Sequence, residues 1–149
     1  MLLYSGISTL DVDAGGNVVI ERLITTYQTS GAGTPDEAFL DLNTPLLLGA
    51  IRYTMRVRFA SKYPRHKLAN DGTRFGPGQP VMTPLIAKGE FFVLFREWEE
   101  AGWVESFDQF KQDLVVQRSA SDKNRLEAIV PPDLINNLRV FAALIQFRL

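Results

Sequence analysis

Hydrophobic positions recur along this chain with two different periods. Across residues 18–26 they alternate: Val18, Ile20 and Ile24 share one side with Arg22, while Val19 and Leu23 share the other with Glu21. β-Branched residues dominate that stretch, which predicts a strand. Residues 7–12 predict a shorter strand. Between them, Asp13-Ala14-Gly15-Gly16-Asn17 supplies residue types that accept the positive φ of a tight turn, so the two segments read as a β-hairpin.

The period then lengthens. Leu48, Ile51, Met55 and Phe59 follow a 3-4-4 spacing and predict a helix over residues 45–63 with one face toward a core. Ala87, Phe91, Leu94, Trp98 and Ala101 predict a second helix over residues 84–101, opened by Thr83-Pro84 and closed by Gly102. Thr34-Pro35-Asp36-Glu37 predicts a short helical turn to about residue 42. Ser106-Phe107-Asp108-Gln109 is a capping-box pattern before a short helix with Phe107, Phe110 and Leu114 on one face. Residues 114–118 and 125–130 predict a second strand pair across a polar turn. Residues 64–83, rich in Pro and Gly, predict a long loop, because the residue before Pro64 is pushed away from helical angles.

The end of the chain breaks the usual rule for termini, which fray unless tied down. Leu138, Val140, Ala142 and Leu144 would face one side of a strand there. Arg139, Phe141, Ala143, Ile145, Phe147 and Leu149 would face the other. Both sides are mainly apolar, as in a strand covered on two faces. Such a segment needs cover from its own sheet or from a neighbouring copy. The expected fold class is therefore α+β: one domain over residues 1–149, with a mainly antiparallel sheet of hairpins plus the C-terminal strand. The two main helices pack on one face of it.

Composition narrows the function. In 149 residues, 16 basic and 17 acidic side chains give a net charge of −1, which supplies no long-range field toward nucleic acid or an anionic membrane. There is no cysteine, which removes thiolate chemistry and Cys-based zinc sites. No apolar run approaches the ~20 residues that span a bilayer.

Candidate chemistry is sparse. The single histidine, His66, sits between Arg65 and Lys67, a setting more typical of a surface or structural residue than of a catalytic base. Asp11-Val12-Asp13 lacks the further acidic ligands of a calcium loop. The glycines around Gly76-Pro77-Gly78 lack the Lys-Ser/Thr ending of a phosphate cradle. Glu97, Glu99 and Glu100 cluster at a helix end, where carboxylates oppose the helix dipole, so a partner for them is expected. Arg52, Arg56, Arg58, Lys62, Arg65 and Lys67, interleaved with Tyr53, Phe59 and Tyr63, leave a second reading open: a small nucleic-acid-binding domain using that stretch.

Several strings, in order, resemble one family. Asp13-Ala14-Gly15-Gly16-Asn17-Val18, Glu21-Arg22-Leu23-Ile24-Thr25-Thr26-Tyr27-Gln28, Tyr63-Pro64-Arg65-His66-Lys67-Leu68-Ala69, Phe95-Arg96-Glu97-Trp98-Glu99-Glu100-Ala101-Gly102 and Ile145-Gln146-Phe147-Arg148-Leu149 look like the C-terminal region of Mu-like phage contractile tail sheath proteins. The resemblance implies a structural subunit, not an enzyme, that uses no cofactor. Its implied partners are other sheath subunits and the inner tail tube protein, with no membrane and no nucleic acid. Its place would be the virion tail, and the host cytoplasm during assembly. The resemblance further implies a tube-proximal C-terminal domain, with N-terminal and outer domains absent from this chain. Strand exchange between subunits would fall on Arg139, Val140, Phe141, Ala142, Ala143, Leu144, Ile145, Gln146, Phe147, Arg148 and Leu149. Arg52 and Arg56 are the expected tube-facing cations.

Overall fold

The alternating segment pairs as predicted. In the computed structural model, which describes residues 2–147 apart from the Tyr4 side chain, β1 (Thr9–Val12) and β2 (Val18–Arg22) form an antiparallel hairpin. Asp13 builds the turn: its carboxylate accepts the backbone N–H groups of Gly15 and Asn17 at 2.9 Å each. Those bonds, led by the one from Asn17, hold its pKa below the ordinary value. A short 3-10 turn, Leu2–Ser5, precedes the hairpin.

Of the helical turn expected to about residue 42, a single turn is formed, closed by the Leu40 N–H to the Glu37 carbonyl at 3.0 Å, and it does not continue as a helix. Other backbone groups of that segment are bonded to residues 23–28, through Asp36 N–H to Gln28 O, Thr25 N–H to Leu40 O and Leu42 N–H to Leu23 O. Asp36 adds side-chain bonds to the Tyr27 hydroxyl and the Ala38 N–H. The segment therefore lies alongside the extension of β2, and tertiary pairing overrides the local Thr-Pro signal.

Helix α1 (Asn43–Lys62) buries Ile51 and half-buries Met55 and Phe59, the stripe read from the spacing. Helix α2 (Pro84–Glu100) starts as predicted, with the Thr83 hydroxyl accepting the Ile86 N–H at 3.3 Å. It buries Ala87, Phe91, Leu94, Phe95 and Trp98. It packs against α1, β5 (Val104–Glu105), α3 (Phe107–Asp113) and β6 (Val115–Arg118). The core lies there: Ile51, Phe91, Leu94, Phe95, Trp98, Val104, Phe110 and Leu114, with the Phe95 and Phe110 rings stacked at 4.3 Å. Ser106 does not cap α3 with its side chain; it takes a left-handed conformation, φ 64°, that turns the chain from β5 into the helix.

Between the helices, β3 (Lys67–Leu68) runs parallel to β4 (Val81–Met82). These two short strands hold the ends of the long Pro/Gly loop side by side, and residues 70–80 are exposed. Beyond α3, β6 pairs with β7 (Leu126–Ile129) as the second hairpin, and β8 (Asp133–Leu134) returns to β5.

The class is α+β, with both predicted hairpins and both main helices in place. The strands are distributed over four two-stranded ribbons. Neither β1–β2 nor the chain end joins a sheet beneath the helices. From Ile135 to Phe147 no strand or helix is assigned, and Arg148 and Leu149 lie outside the described residues.

Candidate assembly surface

The C-terminal segment leaves the body as an arm. Side chains of residues 138–147 are exposed: Phe141 is 86% exposed and Ile145 92%. Every described residue of the predicted intersubunit strand, Arg139 to Phe147, is on the outside. Its apolar residues therefore find no cover within this chain. The covered strand that composition demands is unsatisfied here, because no edge of the chain's own ribbons reaches it.

The β1–β2 hairpin stands in the same condition. Leu10 is 65% exposed and Ile20 58%, with Val12 and Val18 similarly open. These four are opposite pairs in the register, so they share one face, and a two-stranded ribbon with an apolar face in water is marginal by itself and presents two unpaired edges. The structure thus displays a short ribbon with open edges and an exposed apolar segment.

Asp41 joins the two. Its carboxylate accepts a two-pronged bond from Arg22 at the end of β2, Nε at 3.1 Å and Nη2 at 3.3 Å. It also pairs with Arg139 at the start of the arm. The Arg22 bonds, with Arg139 adding its charge, hold the Asp41 pKa below the ordinary value against the opposing effect of burial. Asn43 donates to the Asn137 side-chain oxygen at 3.1 Å. A cleft of about 530 Å³ lies around this junction. No spacing in the sequence marks Asp41, because its partners lie 19 and 98 residues away.

A second polar cluster holds α1 to α2. Glu90, with a side chain only 4% exposed, accepts from Arg58 at 2.9 Å, Lys62 at 2.7 Å and the Tyr63 hydroxyl at 2.5 Å. Burial pushes its pKa up, but the bonds from Lys62, Tyr63 and Arg58 outweigh burial and hold it below the ordinary value. Arg58 also binds Glu97, which is the partner expected for a misplaced helix-end carboxylate. Glu99 is paired within its own helix, to Arg96. Sequence reasoning passed over Glu90, although its place between Ala87 and Leu94 at core-facing spacing, where an acid needs compensation, is a signal that could have found it.

That cluster divides the basic stretch. Arg58 and Lys62 are committed to carboxylates, whereas Arg52 and Arg56 are exposed and make no ion pair among the described residues. His66 bonds to the Pro64 carbonyl and meets the Tyr63 ring edge-on. Among the described residues no group of His, Asp or Glu is placed to hold a metal ion, and no helix is long and apolar enough to cross a membrane.

An arm and a ribbon, both unpartnered, are features of a subunit built to join others. The profile of the phage tail sheath C-terminal domain family matches residues 34–148. This chain belongs to that family. The family is structural, not enzymatic. A relative, the tail sheath protein of the Mu-like prophage FluMu in Haemophilus influenzae, is 46% identical over 146 residues. That match covers 98% of this sheath domain but 30% of the relative. The chain thus spans less than a third of the protein it matches. The family match takes in the arm, Asp41 and the α1–α2 core, while Arg22 and the β1–β2 ribbon precede the matched residues.

Proposed function

We propose that this chain serves as the tube-proximal C-terminal part of a contractile phage tail sheath. In that role the sheath polymerises around the inner tail tube and contracts to drive it through the host envelope. The observation that carries this reading is the two-sided apolar arm held out of the fold, in a chain of the sheath family. Residues 139–149 add as a strand to a neighbouring subunit, where backbone bonds supply affinity and the alternating side chains supply register. The open β1–β2 ribbon, with its exposed apolar face, offers a receiving edge. Arg52 and Arg56, exposed and unpaired, face the tube. The tail of the virion is the destination, reached after assembly in the host cytoplasm.

Gold-tagged antibodies to this chain, applied to lysates of the induced host, are expected to label contractile tails in regular bands under the electron microscope. Intact tails without label, despite detectable antigen, would remove the sheath role.

The two contacts are tested together, in the longer sheath protein that carries this domain, produced with its tube protein. Deleting residues 139–149 should abolish long sheaths. Arg52→Glu with Arg56→Glu should weaken copolymerisation more at low salt than at high salt, since exposed charges are screened over about 8 Å at physiological ionic strength. Normal sheaths from the deletion would refute strand exchange, and an unchanged salt profile would refute the tube contact.

A further inference from the structure

The arm could leave the domain in any direction if only its backbone tethered it. Two contacts restrict it. Asn137 accepts from Asn43, at the first residue of α1, and Arg139 binds Asp41 just before that helix. Beyond Arg139 no hydrogen bond or ion pair is formed among the described residues, so this is the last hold the body has on the arm. The same carboxylate grips Arg22 through two parallel N–H···O bonds, which fix orientation as well as distance. Arg22 is the last residue of β2, in register with Thr9 of β1. Asp41 is therefore bonded at once to the foot of the ribbon and to the root of the arm. Its side chain is about one-quarter exposed, which limits competition from water.

We propose that Asp41 is a positioning residue for assembly: by bridging Arg22 and Arg139 it sets the angle between the outgoing arm and the chain's own β1–β2 ribbon. This rests on the reading of the arm as a strand given to a neighbour. Given that reading, the angle fixes where the next subunit lies relative to this one. A free arm would reach its acceptor from many directions, and successive subunits would add with variable geometry. A held arm restricts the lattice to one step.

The chain has no cysteine, so two spin labels can be attached without background. Ala14→Cys at the ribbon tip and Ala143→Cys on the arm are both exposed positions. Distances are measured by pulsed electron resonance in the folded chain, diluted in unlabelled protein so that only intramolecular pairs count. The parent and Arg139→Lys should give a narrow distribution. Arg139→Gln and Asp41→Asn should broaden it roughly twofold, as expected of a terminus released from its tie, with helix content unchanged. Equal widths in all four, whether narrow or broad, would overturn the proposal. If Asp41→Asn fails to fold, Arg139→Gln decides alone, because Arg139 is outside the core. The same variants placed in the longer sheath protein should give sheaths of irregular axial repeat. No sheath from the unaltered protein would count against the functional reading, while the distances would still judge the bridge.

Discussion

Trp98→Ala is expected to destabilise the folded chain by about 3–5 kcal/mol, the range for a large aromatic removed from a packed core. Trp98 is 2% exposed and lies within the cluster that joins α1, α2 and α3. Its indole N–H donates to the Thr54 hydroxyl at 2.9 Å. Thr54 also donates to the Ile51 carbonyl, so losing the indole leaves no buried hydroxyl without a partner. The cost is thus one of cavity and lost contact. Urea unfolding followed by fluorescence of the remaining Trp103 measures it directly. Trp98→Phe, which keeps most of the volume, should cost much less. A loss below about 1 kcal/mol for the alanine variant would mean that the helices collapse into the space, contrary to the behaviour of close-packed interiors.

Glu90→Ala is the second large effect. Removing one member of a wholly buried ion pair costs about 3–5 kcal/mol. Here Lys62 is half exposed and can return to water, and Arg58 keeps Glu97, so about 2–3 kcal/mol is expected. Glu90→Gln separates charge from shape and exposes a pH dependence. The Glu90 pKa is depressed in the fold from the ordinary 4.5, so its stabilising contribution is present in full above that value. It is lost as pH falls through the lower, folded value. The stability difference between the parent and Glu90→Gln should therefore be constant near neutrality and shrink as pH falls below 4.5. A difference that grows in acid would reverse the assigned direction.

These two side chains also mark what could be read from the sequence. Trp98 was legible because helical spacing is a local signal: Ala87, Phe91, Leu94 and Trp98 face one way whatever else the chain does. Thr83 was legible for the same reason, since a cap acts over three residues. Glu90 was missed: it interrupts the apolar spacing, but its partners lie 27 to 32 residues earlier and are brought to it only by the packing of α1 on α2. Over residues 35–42 the local Thr34-Pro35 signal yields only one turn, because hydrogen bonds to residues 23–28 take the neighbouring backbone groups. The arm shows the boundary between the two kinds of information. Its two apolar faces stated that cover was needed, and among the described residues no ribbon of this chain supplies it. The sheet that was to have contained it could not be judged from one chain, because alternation specifies faces and not which edge is adjacent. Asp41 gave no signal at all, being one acid in a loop whose partners are set by the folded topology.

The long loop has a consequence for divergence. β3 and β4 clamp its two ends side by side, and residues 70–80 lie in solvent. Near its start, Asn70 and Asp71 are tied down by Arg118 and the Leu85 N–H. Only the stretch past them hangs free. Extending a loop whose ends are already fixed costs little, about 0.6 kcal/mol for each doubling of length. Insertions there would leave the α1–α2 core undisturbed. Related domains can therefore differ in length at this one place while keeping the same helices, and a foreign peptide carried between residues 73 and 79 would ride on the domain as a pendant, outside its folding.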